Sequence, residues 1–180
     1  MKLDRSRAVL AVIDVQEAFR PAVLDFEQVA HNTAVLVQGA RRMGVPVLVT
    51  EQYPKGLGNT VPEVAEHLDG IAPLEKTCFS AVAAHGFHSA LAELERDQLL
   101  LCGIESHVCV NQTAEDLLAG GFEVHVATDA VSSRTEHNRE LGIHKMEQSG
   151  AHLTSVETAL FELLRVAGTP EFKDVQKLVR

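Results

Sequence analysis

Short uninterrupted apolar runs alternate with segments of helical spacing along the whole chain, which predicts an α/β protein. The layers are α/β/α around an open, mainly parallel sheet of six strands, because strands separated by helix-length segments pair in parallel through right-handed crossovers. No internal repeat, low-complexity tract or linker interrupts the alternation, so residues 1–180 are expected to form a single domain, with a polar tail after about residue 168.

The first strand is Ala8-Val9-Leu10-Ala11-Val12-Ile13, too short for an independent helix and apolar on both faces, as a strand covered on both sides must be. It ends at Asp14. A helix follows from about Phe26 to Met43, with Val29, Thr33, Leu36, Val37 and Ala40 on one face and Gly44 as its stop. Residues 45–50 form the second strand, and the Gly-, Pro- and Asn-rich stretch Glu51 to Pro62 reads as a loop at its carboxyl end. A short third strand is expected at residues 74–77, a helix from His85 to Arg96, and a fourth strand from Gln98 to Ile104. The next helix opens near His107. A strand at residues 123–128, a helix from about Glu136 to Ser149, a short strand at residues 151–154 and a helix through Leu164 complete the core.

Charge and composition narrow the function. A formal net charge of -9 without clustered Lys or Arg disfavours nucleic acid as a partner. The N-terminal apolar run is too short and too early interrupted for a signal peptide or a membrane span, so no membrane partner and a cytoplasmic location are expected. Three cysteines, Cys78, Cys102 and Cys109, show neither CxxC nor Cys/His metal spacing, which suits free thiols in a reducing compartment.

In open parallel sheets ligands collect beyond the carboxyl ends of the strands, where the strand order reverses. Three such ends carry chemistry: Asp14 after the first, Lys76 near the third, and the Glu105-Ser106-His107-Val108-Cys109 stretch after the fourth. A carboxylate ending an apolar run needs a cation opposite it, and Lys76 is the candidate. Cys109 is expected in the first turn of a helix, where the dipole and a nearby ammonium favour the thiolate. Together the three make a nucleophile, a base that takes and returns its proton, and a stabilising charge. Singly, each has an ordinary role: a turn carboxylate, a surface lysine, a core thiol.

The chain resembles the isochorismatase-like cysteine hydrolase family over nearly its full length, through AVLAVIDVQ at residues 8–16, GIESHVCV at 103–110 and TDA at 128–130. EQYPKGLG at 51–58, KTCFS at 76–80 and VHVATDAVSSR at 124–134 look most similar to the isochorismatase domain-containing hydrolases. The resemblance implies a Rossmann-like fold, Asp14, Lys76 and Cys109 as the catalytic residues, a cis peptide at Ile104-Glu105, and an oxyanion site from the backbone N–H groups of Glu105 and Cys109. It calls for no cofactor. The nicotinamidase branch has a metal site beginning with Asp-x-His, but Glu51-Gln52-Tyr53 stands at that position, so no metal is expected.

Gln16, Phe19, Gln52, Tyr53, Leu57, Phe79 and Val108 flank these blocks and are the candidate substrate-binding residues. His107 is read as a helix-start or interface residue, and Cys78 and Cys102 as packing residues. The expected activity is hydrolysis of a small-molecule amide or related carbonyl compound by a homo-oligomer. The alternatives are a catalytically idle binding or scaffold protein and a thiol redox sensor.

Overall fold

A computed structural model describes residues 1–180. In chain order the main elements are β1 (Ala8–Ile13), α1 (Phe26–Arg42), β2 (Val47–Gln52), the one-turn helices α2 (Pro54–Leu57) and α3 (Pro62–Ala65), β3 (Leu74–Lys76) and α4 (Phe87–Leu94). There follow β4 (Gln98–Ile104), a π-helical turn at Ser106–Val110, α5 (Asn111–Ala119), β5 (Glu123–Ser132), α6 (Glu136–Gln148), β6 (His152–Thr154), α7 (Val156–Leu164) and α8 (Pro170–Leu178). The six strands form one sheet in the order β3-β2-β1-β4-β5-β6, and every pair is parallel. The chain winds outward in one direction from β1 to β3, then crosses to β4 and winds the other way. The reversal between β1 and β4 is where parallel sheets leave a crevice.

The uninterrupted apolar run of β1 is explained by burial on both faces. Ala8, Leu10 and Val12 join the core under α1 and α7, whereas Val9, Ala11 and Ile13 join the core under α4 and α5. Helix α1 buries the expected stripe of Val29, Thr33, Leu36, Val37 and Ala40, and Gly44 follows it in the left-handed region at φ 68°.

Four segments differ from the sequence expectation. First, β2 starts and ends later than residues 45–50: Pro46 contributes only its carbonyl, to Leu10 N–H, and Glu51 and Gln52 continue the ladder against Glu75 and Lys76 of β3. Second, β5 runs on past Thr128 to Ser132, because a register irregularity between Leu101 and Gly103 lets Val131 and Ser132 pair again with Gly103 and Ile104. Third, the helix expected near His107 begins as a π turn, closed by Val110 N–H donating to the Glu105 carbonyl. Finally, the polar tail after Gly168 is ordered as a helix and wraps the domain itself. Thr169 caps α8 by accepting from Phe172 N–H at 3.1 Å, and fully buried Val175 docks the helix onto the core beside α1.

No helix is long and apolar enough to cross a membrane.

Candidate active site

Asp14 lies immediately beyond β1, fully buried, with its backbone in the left-handed region at φ 52°. A non-glycine residue there is uncommon and is held by its surroundings. Asp14 N–H donates to the Thr50 carbonyl at 3.2 Å. Its carboxylate is gripped at both oxygens: Thr50 Oγ1 donates to Oδ1 at 2.7 Å and Lys76 Nζ to Oδ2 at 2.6 Å.

Lys76 ends β3, and its side chain is as inaccessible as that of Asp14. Besides Asp14, its ammonium donates to Gln52 Oε1 at 2.6 Å, Phe79 O at 3.0 Å and Cys78 O at 3.2 Å. An ammonium has three hydrogens, so these acceptors saturate it. Lys76 is therefore a fixed charge with no donor to spare.

Cys109 sits in the π turn beyond β4, and its thiol is within interaction reach of both Asp14 and Lys76. The structure thus gathers the carboxylate, the ammonium and the thiol from the ends of three strands. One expectation is corrected here. The thiol is not lowered but pushed up to about 12, by burial first and then by the Asp14 charge, with Lys76 opposing. Asp14 is also raised above the usual carboxylate range, again by burial, against the pull of Lys76, the hydrogen bonds from Lys76 and Thr50, and the influence of the neighbouring Cys109 thiol. The resting group is a protonated thiol next to a carboxylate of raised proton affinity. Helix-start stabilisation of a free thiolate does not describe it.

The turn carrying Cys109 is held from several sides. The Ile104-Glu105 peptide bond is cis, and the Glu105 carboxylate accepts from Arg134 N–H at 3.1 Å and Arg134 Nε at 3.0 Å. Glu105 N–H has no partner within the protein, whereas its carbonyl accepts from Val108 and Val110. Buried Ser106 and Ser133 share a hydrogen bond of 2.7 Å, and His107 Nδ1 lies 2.9 Å from Ser133 Oγ. His107 is thereby an anchor of the turn. Thr113 Oγ1 donates to the Cys109 carbonyl at 2.6 Å and accepts from Ala81 N–H at 2.9 Å, tying the turn to the loop after Lys76.

Two glycines bring the strands and helices this close. A Cβ on Gly103 would lie 2.0 Å from the Ile13 carbonyl oxygen, next to Asp14, and one on Gly142 of α6 would lie 2.5 Å from the backbone of Ser106. Neither glycine, nor Thr50, nor Ser133 was singled out from the sequence. Single polar or small residues inside helix or strand patterns carry no periodic signal.

The candidate substrate-binding residues divide by environment. Gln16 is fully buried, and its amide is spent on Gln52 N–H at 2.7 Å, Gln52 O at 3.0 Å and Gly58 O at 2.6 Å, which fixes the β2 end. Gln52 uses its side chain on Lys76 and on Thr77 O. Phe19 packs half-buried against the core under α1. Tyr53 and Phe79 are exposed at 54% and 53%, and Leu57 and Val108 are half-buried. A cleft of about 420 Å³ opens beside Lys76, lined by residues 53–55, 75–78 and 83–85.

At the positions matching the Asp-x-His metal motif, Glu51 is buried and accepts from Thr60 N–H at 2.6 Å and Thr60 Oγ1 at 2.8 Å, and Gln52 is spent on Lys76. Neither neighbour of these residues supplies an imidazole. The donor set does not fit a transition-metal site.

Asp14, Lys76 and Cys109 thus lie together where the strand order of a doubly wound parallel sheet reverses, which is the usual place for a ligand site in such a fold. The chain belongs to the isochorismatase family: the isochorismatase domain model matches residues 8–158. It is 45% identical to isochorismatase domain-containing protein 2A of Mus musculus, over 96% of this chain and 82% of that protein. Among solved structures, MAR1 ribonuclease from Caenorhabditis elegans superposes with a TM-score of 0.94 at 39% identity, covering 99% of this chain and 92% of that one. YcaC from Pseudomonas aeruginosa, solved with hexane-2,5-diol and covalent acrylamide, gives a TM-score of 0.91 at 25% identity, covering 98% of this chain and 91% of that one.

Proposed function

We propose that the protein is a metal-independent cysteine hydrolase that acts on a small-molecule amide or related carbonyl compound through Asp14, Lys76 and Cys109 within one domain. The observation that carries this reading is the buried Asp14 carboxylate, pinned by Lys76 at 2.6 Å and within reach of the Cys109 thiol.

Asp14 takes the thiol proton as Cys109 Sγ bonds to the carbonyl carbon, so the thiolate need not exist before the substrate arrives. The carbonyl π electrons move onto oxygen, which the backbone N–H groups of Glu105 and Cys109 receive. Collapse breaks the carbon–nitrogen bond, and Asp14 returns its proton to the departing amine, leaving a thioester on Cys109. Water, deprotonated by Asp14, then attacks the thioester. The acid leaves, and the proton returns to Cys109 Sγ. Lys76 stabilises the anionic states of both partners as a fixed charge.

In this reading the substrate approaches by the cleft beside Lys76, where Tyr53 presents an exposed aromatic face, and exposed Phe79 and half-buried Leu57 and Val108 complete the approach outside that cleft. The same aromatic residues supply an apolar surface for assembly into a homo-oligomer. A cytoplasmic location is favoured by three free cysteines. The covalent acrylamide of the YcaC structure supports a reactive nucleophile in the shared fold.

The name of the Caenorhabditis elegans relative raises RNA as a second substrate class. A net charge of -9 speaks against a phosphate-tracking surface. The test is a panel of small amides, esters and vinyl ethers, with an RNA oligonucleotide as a separate arm, assayed with the wild type and Cys109→Ala. Turnover of an amide or ester that Cys109→Ala abolishes supports the proposal. Turnover of RNA alone, or activity retained in Cys109→Ala, contradicts it, and inactivity across the panel favours a binding or redox role.

A further inference from the structure

We infer that Thr50 is a positioning residue for the Asp14 carboxylate, setting both its orientation toward Cys109 and its proton affinity; this rests on the reading of Asp14 as the base. Thr50 lies in β2, adjacent to β1, and is fully buried. It grips Asp14 twice, accepting its N–H through the backbone carbonyl at 3.2 Å and donating from Oγ1 to Oδ1 at 2.7 Å.

No other protein group takes over the second contact. Lys76 is committed to Oδ2 and to three further acceptors, so it does not also hold Oδ1. The backbone of Asp14 is in the left-handed region, and the Thr50 hydroxyl on Oδ1 and the Lys76 ammonium on Oδ2 together fix the carboxylate plane. With both oxygens held, the carboxylate presents a fixed lone pair to the thiol. Without the hydroxyl, Oδ1 is a buried acceptor lacking its donor, and it is relieved either by rotating toward another partner or by binding a proton. Either outcome weakens the base toward Cys109. The hydroxyl also opposes the upward shift that burial imposes on Asp14.

The test compares wild type, Thr50→Val, which keeps the shape and removes the donor, and Thr50→Ser, which keeps the donor. Iodoacetamide is the probe. Its rate of attachment to Cys109 is followed by peptide mass spectrometry from acid to mildly alkaline pH, and thermal melts confirm that each variant folds. In the wild type the rate rises through an acid limb that reports Asp14. Thr50→Val is expected to move that limb upward by about one pH unit or more, while Thr50→Ser leaves it near the wild-type position.

If Thr50→Val changes only the overall rate or the melting temperature and leaves the limb in place, or if Thr50→Ser shifts it equally, Thr50 is merely structural and the inference fails. If the wild-type rate shows no acid limb and follows an ordinary thiol, the assignment of Asp14 as base fails first, and the inference with it. Should Thr50→Val not fold, Thr50→Ala carries the same comparison with the same expected shift.

Discussion

Replacing Lys76 by methionine removes the one cation from a site whose carboxylate is fully buried. The Lys76–Asp14 pair is 2.6 Å apart with both side chains inaccessible, and breaking such a pair from one side costs about 3–5 kcal/mol because the remaining charge is stranded. For a chain of 180 residues that corresponds to a fall in melting temperature of roughly 6–20 °C. The stranded carboxylate has a way out, since burial already raises its proton affinity and Lys76 is the main force opposing it. A carboxyl whose folded pKa lies above its unfolded value contributes stability below the unfolded value, and loses that contribution as pH rises through the folded one. The deficit of Lys76→Met relative to wild type should therefore be small in acid and grow toward neutral and alkaline pH. Adding Asp14→Asn removes the stranded charge and should restore part of the stability, so the double variant is less destabilised than the sum of the single ones. Urea titrations of the four proteins at several pH values measure this. A deficit below about 1 kcal/mol, independent of pH and additive with Asp14→Asn, would refute the buried ion pair.

Gly142→Ala places a methyl group against the Ser106 and His107 backbone at 2.5–2.6 Å, and should cost about 1–3 kcal/mol through overpacking. It should also slow Cys109 alkylation by shifting the turn; unchanged melting and unchanged alkylation would show that α6 does not brace it. His125 is buried beside Glu123 and His152, and burial lowers its pKa against the opposing carboxylate. The unfolded chain then takes up a proton near pH 6.5 that the folded one resists, so stability is lost as pH falls through that region. His125→Gln should flatten the decline in melting temperature between about pH 7 and 5, and a slope equal to wild type would contradict this.

How much of this was legible in the sequence depends on the length scale of the signal. The apolar runs of β1 and β4 announce strands buried on both faces, and the stripe of α1 announces its helix. Asp14 and Cys109 stand out because they are chemistry-bearing residues just beyond such runs. Lys76 is placed by a three-residue strand, so its role leaned on the resemblance. The ends of β2 and β5 carry no strand signal because Glu51, Gln52 and Asp129 are polar and read as loop. The structure supplies their partners from distant segments: Thr60 for Glu51, Gln16 for Gln52, and Val156 N–H for Asp129. The docking of α8 rests on buried Val175 together with partly buried Phe172, Leu178 and Val179, spaced among charged residues. The proton affinity of Cys109 is not legible in the sequence, since spacing reveals a helix start and a nearby lysine but not the burial that outweighs them.

The most direct test of Cys109 as a nucleophile served by Asp14 is the pH dependence of alkylation at each thiol in the wild type, Asp14→Ala and Lys76→Ala, resolved by peptide mass spectrometry. Cys109 should react at neutral pH faster than Cys78 and far faster than fully buried Cys102, with a rate that levels off once Asp14 is ionised and falls in both variants. A Cys109 rate that climbs tenfold per pH unit through the alkaline range, as for a thiol with no base beside it, and is unaffected by either substitution would contradict the account.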